Sequence, residues 1–157
     1  MKDIILRKMF DGEENTVSTL IEEVFNEFIA PEYSEEGINK FKNHIELNSL
    51  LFRKENGSIF TVAVDKEKII GIVEIRDLNH ISLFFVNKKY HGNGIGGILI
   101  KSAIKESQSI YPNIKTFTVN SSSYAKKVYE KLGFNQTQEE QIKNGLCFIP
   151  MELLLVI

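Results

Sequence analysis

Only one of the 157 residues is a cysteine, Cys147, and only three are prolines. A lone thiol excludes an internal disulfide, and in an apolar stretch it reads as core filler rather than as a nucleophile. Pro31, Pro112 and Pro150 are too scattered to mark an interdomain linker, and there is no repeat or low-complexity tract. An excess of one charge is also missing. The 19 Lys and Arg stand against 21 Asp and Glu, a formal charge of -2, so there is no bulk electrostatic grip on nucleic acid or an anionic membrane. No apolar run is long enough to span a bilayer, and Lys2, Asp3, Arg7 and Lys8 interrupt the first ten residues too early for a signal peptide. The expectation is a single domain over 1-157, cytoplasmic, with neither nucleic acid nor membrane as partner. At 43% hydrophobic residues it should bury roughly 70% of its unfolded surface.

The periodicity changes along the chain. Ile4–Met9 reads as a strand. After Asp11 and Gly12, the residues Val17, Leu20, Ile21, Val24, Phe25 and Phe28 recur at helical spacing in a helix that stops before Pro31. A second helix starts at Ser34 as N-cap, carries Ile38, Phe41, Ile45 and Leu47, and ends between residues 50 and 54, with His44 facing solvent or capping a neighbour. From Ile59 the period becomes two. Ile59–Val64 and Ile69–Ile75 predict a hairpin, and His80–Val86 adds the third strand of an antiparallel meander. A helix over 94–110, a strand at Thr116–Val119 and a helix over Ala125–Leu132 stopped by Gly133 follow. Phe134–Gln138 and Leu146–Val156 flank an Asn144–Gly145 turn, which predicts a closing hairpin.

Four of the ten glycines lie in Gly92-Asn93-Gly94-Ile95-Gly96-Gly97, between a strand and a helix. Glycines there free the backbone to present successive N–H groups, together with the positive end of the helix dipole, to a phosphate. A bare tight turn needs only one glycine. Gly92, Gly94 and Gly97 also spell Gly-x-Gly-x-x-Gly, but an antiparallel meander precedes the loop and the next strand ends in Asn120, not in an acidic residue, which disfavours a nicotinamide-dependent oxidoreductase. No Gly-Lys-Ser/Thr follows, so a Walker loop fails too.

The stretch Val86-Asn87-Lys88-Lys89-Tyr90-His91-Gly92-Asn93-Gly94-Ile95-Gly96 resembles the acetyl-CoA signature Arg/Gln-x-x-Gly-x-Gly/Ala of the GCN5-related N-acetyltransferase (GNAT) family, with His91 where arginine or glutamine is usual. Asn120, Tyr124, Ala125, Val128, Tyr129 and Gly133-Phe134 resemble that family's later strand-to-helix motif. The resemblance implies an α/β (α+β) fold: a mixed, mostly antiparallel sheet flanked by helices, with a central parallel pair, Ile81–Val86 and Thr116–Asn120, that splays to bind acetyl-CoA. It further implies that the N–H groups of His91, Gly92, Asn93, Gly94, Ile95, Gly96 and Gly97 hold the pyrophosphate. Phe84, Phe85 and Val86 would pair with the pantetheine arm, an N–H near Phe85 would polarise the thioester carbonyl, and Asn120 would bond the arm. Tyr129, one turn after Ala125, would protonate the departing thiolate. The plainer alternative for Tyr129 is a core tyrosine.

An attacking amine needs a base. Strict alternation places His80, Ser82, Phe84 and Val86 on one face of their strand, which makes His80 the first candidate base and Glu74 the second. The acceptor, a small-molecule or peptide amine, falls to the first two helices and their connection, where Glu27 and Tyr33 lie in a run with Glu22, Glu23, Glu32, Glu35 and Glu36. Such a carboxylate rim suits a cationic amine, although a solvated helix face is the plainer reading. His44, His80 and His91 do not have metal-ligand spacing, and no metal is expected. The rival function is a non-catalytic acyl-CoA sensor. The segment Leu146–Ile157, if an exposed apolar edge strand, would favour a homodimer.

Overall fold

The computed structural model describes residues 3–155. The strands are β1 (Ile4–Lys8), β2 (Ile59–Asp65), β3 (Lys68–Arg76), β4 (His80–Val86), β5 (Thr116–Ser121), β6 (Asn135–Gln136), β7 (Gln141–Lys143) and β8 (Leu146–Leu154). The helices are α1 (Glu14–Phe28), α2 (Glu35–Ile45), α3 (Leu47–Glu55), α4 (Ile95–Ile110) and α5 (Lys126–Lys131). β2 and β3 are buried along nearly their whole length, so the sheet needs cover on both faces. Ile95, Leu99, Ala103 and Tyr129 from α4 and α5 cover one face. Val17, Ile21 and Phe25 of α1, with Ile45 and Leu50 behind them, cover the other. Each fully buried side chain of this size contributes roughly 1.5–3 kcal/mol.

Strand order is β1-β2-β3-β4-β5-β8-β6, with β7 paired to the other end of β8. Every pair is antiparallel except β4 with β5, which register only at His80–Thr118 and Ile81–Val119. Asn79 pins this end: its side-chain amide donates to the Thr116 carbonyl and its own carbonyl accepts from the Thr118 N–H, both at 2.9 Å. Past Ile81 the two strands part. The fold is thus the mixed, mostly antiparallel sheet with a splayed parallel pair that the glycine motif implied.

Strict alternation along β4 fails. Glu74 faces Leu83 while Ile75 faces Ile81, so Ser82 is the extra residue of a β-bulge. Ile81 and Val86 therefore pack on the α4 side and Leu83 and Phe85 on the α1 side. His80 and Phe84 end on opposite faces, because one inserted residue reverses every later side chain. The predicted second helix is also two helices, broken at Glu46, where the backbone is extended (ψ 157°). The Asn43 and Ile45 carbonyls freed there accept the hydroxyls of Ser49 and Ser18, each at 2.7 Å. Ser34 does cap α2, accepting the Gly37 N–H at 3.2 Å.

The hairpin across Asn144–Gly145 is made by β7, which the sequence pattern did not show; Asn135 and Gln136 pair further along β8. β8 consequently has β5 on one side and β6 and β7 on the other. It is not an edge, which removes the reason for a homodimer through Leu146–Ile157; Val156 and Ile157 of that segment lie outside the described residues.

Candidate active site

Gly94 adopts φ +78° and N-caps α4 without a side-chain cap. Among the described residues, the N–H groups of residues 92–97 have no protein acceptor. Six successive free amides at the start of a 16-residue helix are a cradle that could hold a phosphate group. His91 is outside it, because its N–H donates to the Lys88 carbonyl at 3.2 Å. Gly96 serves packing: a Cβ there would stand 2.7 Å from Cζ of Phe84, so glycine lets α4 lie against β4.

The His91 ring bridges elements of the protein. Nε2 is 2.6 Å from the Val86 carbonyl, which can only accept, so Nε2–H donates, and Nδ1 is 2.7 Å from the Tyr124 hydroxyl. Phe28 stacks on Tyr124 with centroids 4.6 Å apart. The bond to Val86 also shows which way β4 presents its main chain. Asn87 N–H donates to Ile70 C=O at 2.8 Å, and hydrogen-bonded antiparallel pairs recur every second residue, so Phe85 is directed at Ile72 of β3. The amides turned toward the gap between β4 and β5 are those of Phe84 and Val86, so the N–H near Phe85 that is free to face a ligand there is that of Phe84.

A cavity of about 430 Å³ runs from the cradle along the end of β4. A second, of about 540 Å³, opens on the α1–α2 side. They share Ile29, Phe84, Phe85, Ser122 and Ala125 as walls and therefore meet where the parallel strands part. Asn120 and Tyr129 line the second cavity at this junction. Tyr129 is 2% exposed, its ring edge-on to Phe84 and Phe134 at 5.5 and 5.2 Å. Its hydroxyl has no hydrogen-bond partner among the described residues, and burial raises the phenol above its ordinary value.

His80 and His44 both line this second cavity. His80 Nδ1 is 2.8 Å from the Thr118 hydroxyl and His44 Nε2 is 3.1 Å from the Ser82 hydroxyl. Burial lowers each imidazole to about 4; Arg53 and Arg76 add to the effect on His44, and Arg76 adds to that on His80. Both rings are neutral at physiological pH. The expected solvent-facing His44 is instead an inward side chain. It lies between Phe41 and Ile45 on the apolar side of α2, a helical spacing that marks such a position.

Tyr33 and Glu27, expected to bind the acceptor, separate from each other and from Glu74, the second candidate base, also expected near the acceptor. Tyr33 lines the cavity, its phenol pushed up to about 12 by burial. Glu27 is exposed and ion-paired to Lys88 at 3.0 Å, away from the lining. Glu74 is fully buried against Arg53 Nε at 2.8 Å and lines neither cavity, because α3 brings the guanidinium behind β3. Lys40 and Arg76 reach the cavity instead, and no Asp or Glu lines it among the described residues. Cys147 is half-buried, its thiol 3.1 Å from the Glu32 carbonyl. No group of three or more His, Cys, Asp or Glu converges among the described residues, and no helix is long and apolar enough to cross a membrane.

Residues 29–155 match the family model described as an acetyltransferase (GNAT) domain. The UPF0039 protein of Schizosaccharomyces pombe is 25% identical over 111 residues, 71% of this chain and 70% of that protein. Among solved structures, a GCN5-related N-acetyltransferase from Rhodopseudomonas palustris superimposes with a TM-score of 0.80 at 20% identity, covering 96% of this chain and 95% of that one. The PaiA N-acetyltransferase from Thermoplasma acidophilum, solved with coenzyme A, gives 0.78 at 22% identity over 96% and 98%. With the family model spanning most of its length, and with the splayed strands and glycine cradle already in place, the chain belongs to the GNAT family of acetyltransferases.

Proposed function

We propose that the protein transfers the acetyl group of acetyl-CoA to a primary amine of a small molecule or peptide by direct attack. The observation that carries this reading is the row of six free amides at the head of α4, opening onto the unpaired side of β4. The cradle takes the pyrophosphate, and the main chain of Phe84 and Val86 takes the pantetheine arm. The Phe84 N–H faces the thioester carbonyl and stabilises the oxyanion as the amine nitrogen bonds to the acetyl carbon.

When the C–S bond breaks, the Tyr129 hydroxyl gives its proton to the leaving sulfur. The dry surroundings that disfavour a tyrosinate disfavour the thiolate as well, so their proton affinities rise together. The proton lost by nitrogen goes to His80, either directly or through water, and returns to Tyr129 by solvent. An imidazole lowered to about 4 is a weak base, so the amine has to arrive largely uncharged.

Calorimetric titration with acetyl-CoA, with NADH as comparison, tests the cradle; micromolar binding of acetyl-CoA alone is expected. Release of free CoA with a panel of amines then tests transfer. No binding of acetyl-CoA would overturn the proposal, and binding without CoA release on any amine would leave an acyl-CoA sensor.

A further inference from the structure

We infer that the acceptor amine carries an anionic oxygen group on an apolar body, with Arg76 and Lys40 reading the anion. The inference rests on the transferase reading above and concerns the 540 Å³ cavity on the α1–α2 side. Its only formally charged lining groups among the described residues are these two cations. Arg76 is incompletely matched. One Nη donates to Asp77 Oδ2 at 2.7 Å, while the buried Nε has no partner.

Burial lowers His80 first and Arg76 adds to it, with Asp77 opposing, which places the guanidinium close to this ring on the cavity wall. A polyamine or an aminoglycoside entering here would lose water and meet Lys40 and Arg76, the latter partly offset by Asp77, with no carboxylate on the lining itself to receive it. A carboxylate on the same molecule reverses that balance and can accept from the exposed edge of the Arg76 guanidinium, the buried Nε lying out of its reach. Phe25, Phe41, Phe85 and Phe148 supply apolar walls, Phe25 and Phe41 being stacked at 4.0 Å.

The test compares paired acceptors: phenylalanine with phenethylamine, tryptophan with tryptamine, 4-(aminomethyl)benzoate with benzylamine, and spermidine as the cationic contrast. At least one carboxylate-bearing member should exceed its partner about tenfold or more in kcat/KM. Arg76→Gln and exposed Lys40→Gln should each collapse that ratio through KM while acetyl-CoA still binds. Matched aminophosphonates tell a carboxylate from a phosphate-like anion. Preference for the decarboxylated amines or spermidine, an unchanged ratio in both variants, or silence from every carboxylate-bearing amine overturns the inference. Turnover of spermidine with acetyl-CoA bound would strike this inference alone, whereas failure to bind acetyl-CoA would strike the transferase reading beneath it.

Discussion

Gly37 in α2 and Gly145 in the β7–β8 turn approach so closely that a Cβ on Gly37 would stand 2.2 Å from the Gly145 carbonyl oxygen. Ser34 N–H also donates to that carbonyl, at 3.3 Å. Two effects of Gly37→Ala oppose each other. Helix propensity favours alanine by about 1 kcal/mol, while overpacking against backbone costs about 1–3 kcal/mol. The clash should win, because neither backbone can rotate aside. Thermal unfolding should show a lower Tm, and displacement of Leu146 and Phe148 should raise KM for the acceptor with acetyl-CoA affinity retained.

Gly94→Val should damage the cradle through the backbone. Nothing lies within 4 Å of a Cβ there, so the cost is the left-handed φ of +78°, about 1–2 kcal/mol for a non-glycine residue. Asparagine tolerates that conformation. Calorimetry should find acetyl-CoA affinity reduced at least about tenfold in Gly94→Val and much less in Gly94→Asn. Equal affinities in the two variants would contradict a cradle set by backbone shape.

Tyr129→Phe should lower kcat about ten- to a thousandfold, leaving acetyl-CoA affinity nearly unchanged. Stability should change little, since the hydroxyl borders the cavity and the ring contacts with Phe84 and Phe134 remain. Because burial raises this phenol, the wild-type rate should show no alkaline fall from Tyr129 below about pH 10. Wild-type turnover in the variant would remove Tyr129 from the mechanism.

His44 and His80 predict an acid-sensitive fold. Each is lowered to about 4 in the folded state against 6.5, so the unfolded chain binds more protons between those values. Stability should be full above about pH 6.5 and decline as pH falls toward 4, by up to ~3 kcal/mol per imidazole. The difference between wild type and His44→Gln in Tm against pH isolates the His44 share from the carboxylates. Parallel Tm curves across that window would show that His44 is not held neutral.

The legible parts of the sequence were those in which a local rule has few alternatives. Four glycines after a β-rich run announced the cradle, and Ser34 announced its helix. The joint at Glu46 was hidden because the chain turns there without glycine or proline, its freed carbonyls satisfied by Ser18 and Ser49 from elsewhere. The bulge at Ser82 was hidden because His80–Val86 satisfies simple alternation as a string, and only pairing with Glu74 and Ile75 shows the inserted residue. Glu74 was misplaced because nothing local says that Arg53, 21 residues earlier, meets it in the core. The helix carboxylates stay off the cavity lining, as the plainer reading of a solvated face had it, while Arg76 at the end of β3 lies on it for reasons of pairing that no local pattern shows.

The position of β8 bears on how the molecule is made. The meander β1–β4 and its covering helices draw on contacts available early in the chain, whereas β5 acquires its antiparallel neighbour only when the final strand exists. Closing the far half of the sheet is a long-range step, and such steps are slow because the loop entropy is lost before the pairing is gained. A nascent chain halted before residue 146 would carry the glycine loop but lack Leu146 and Phe148, and with them one wall of the acceptor cavity. If the transferase reading holds, a chain trimmed before residue 146 should bind acetyl-CoA through its glycine loop yet release no CoA, because that cavity wall is missing.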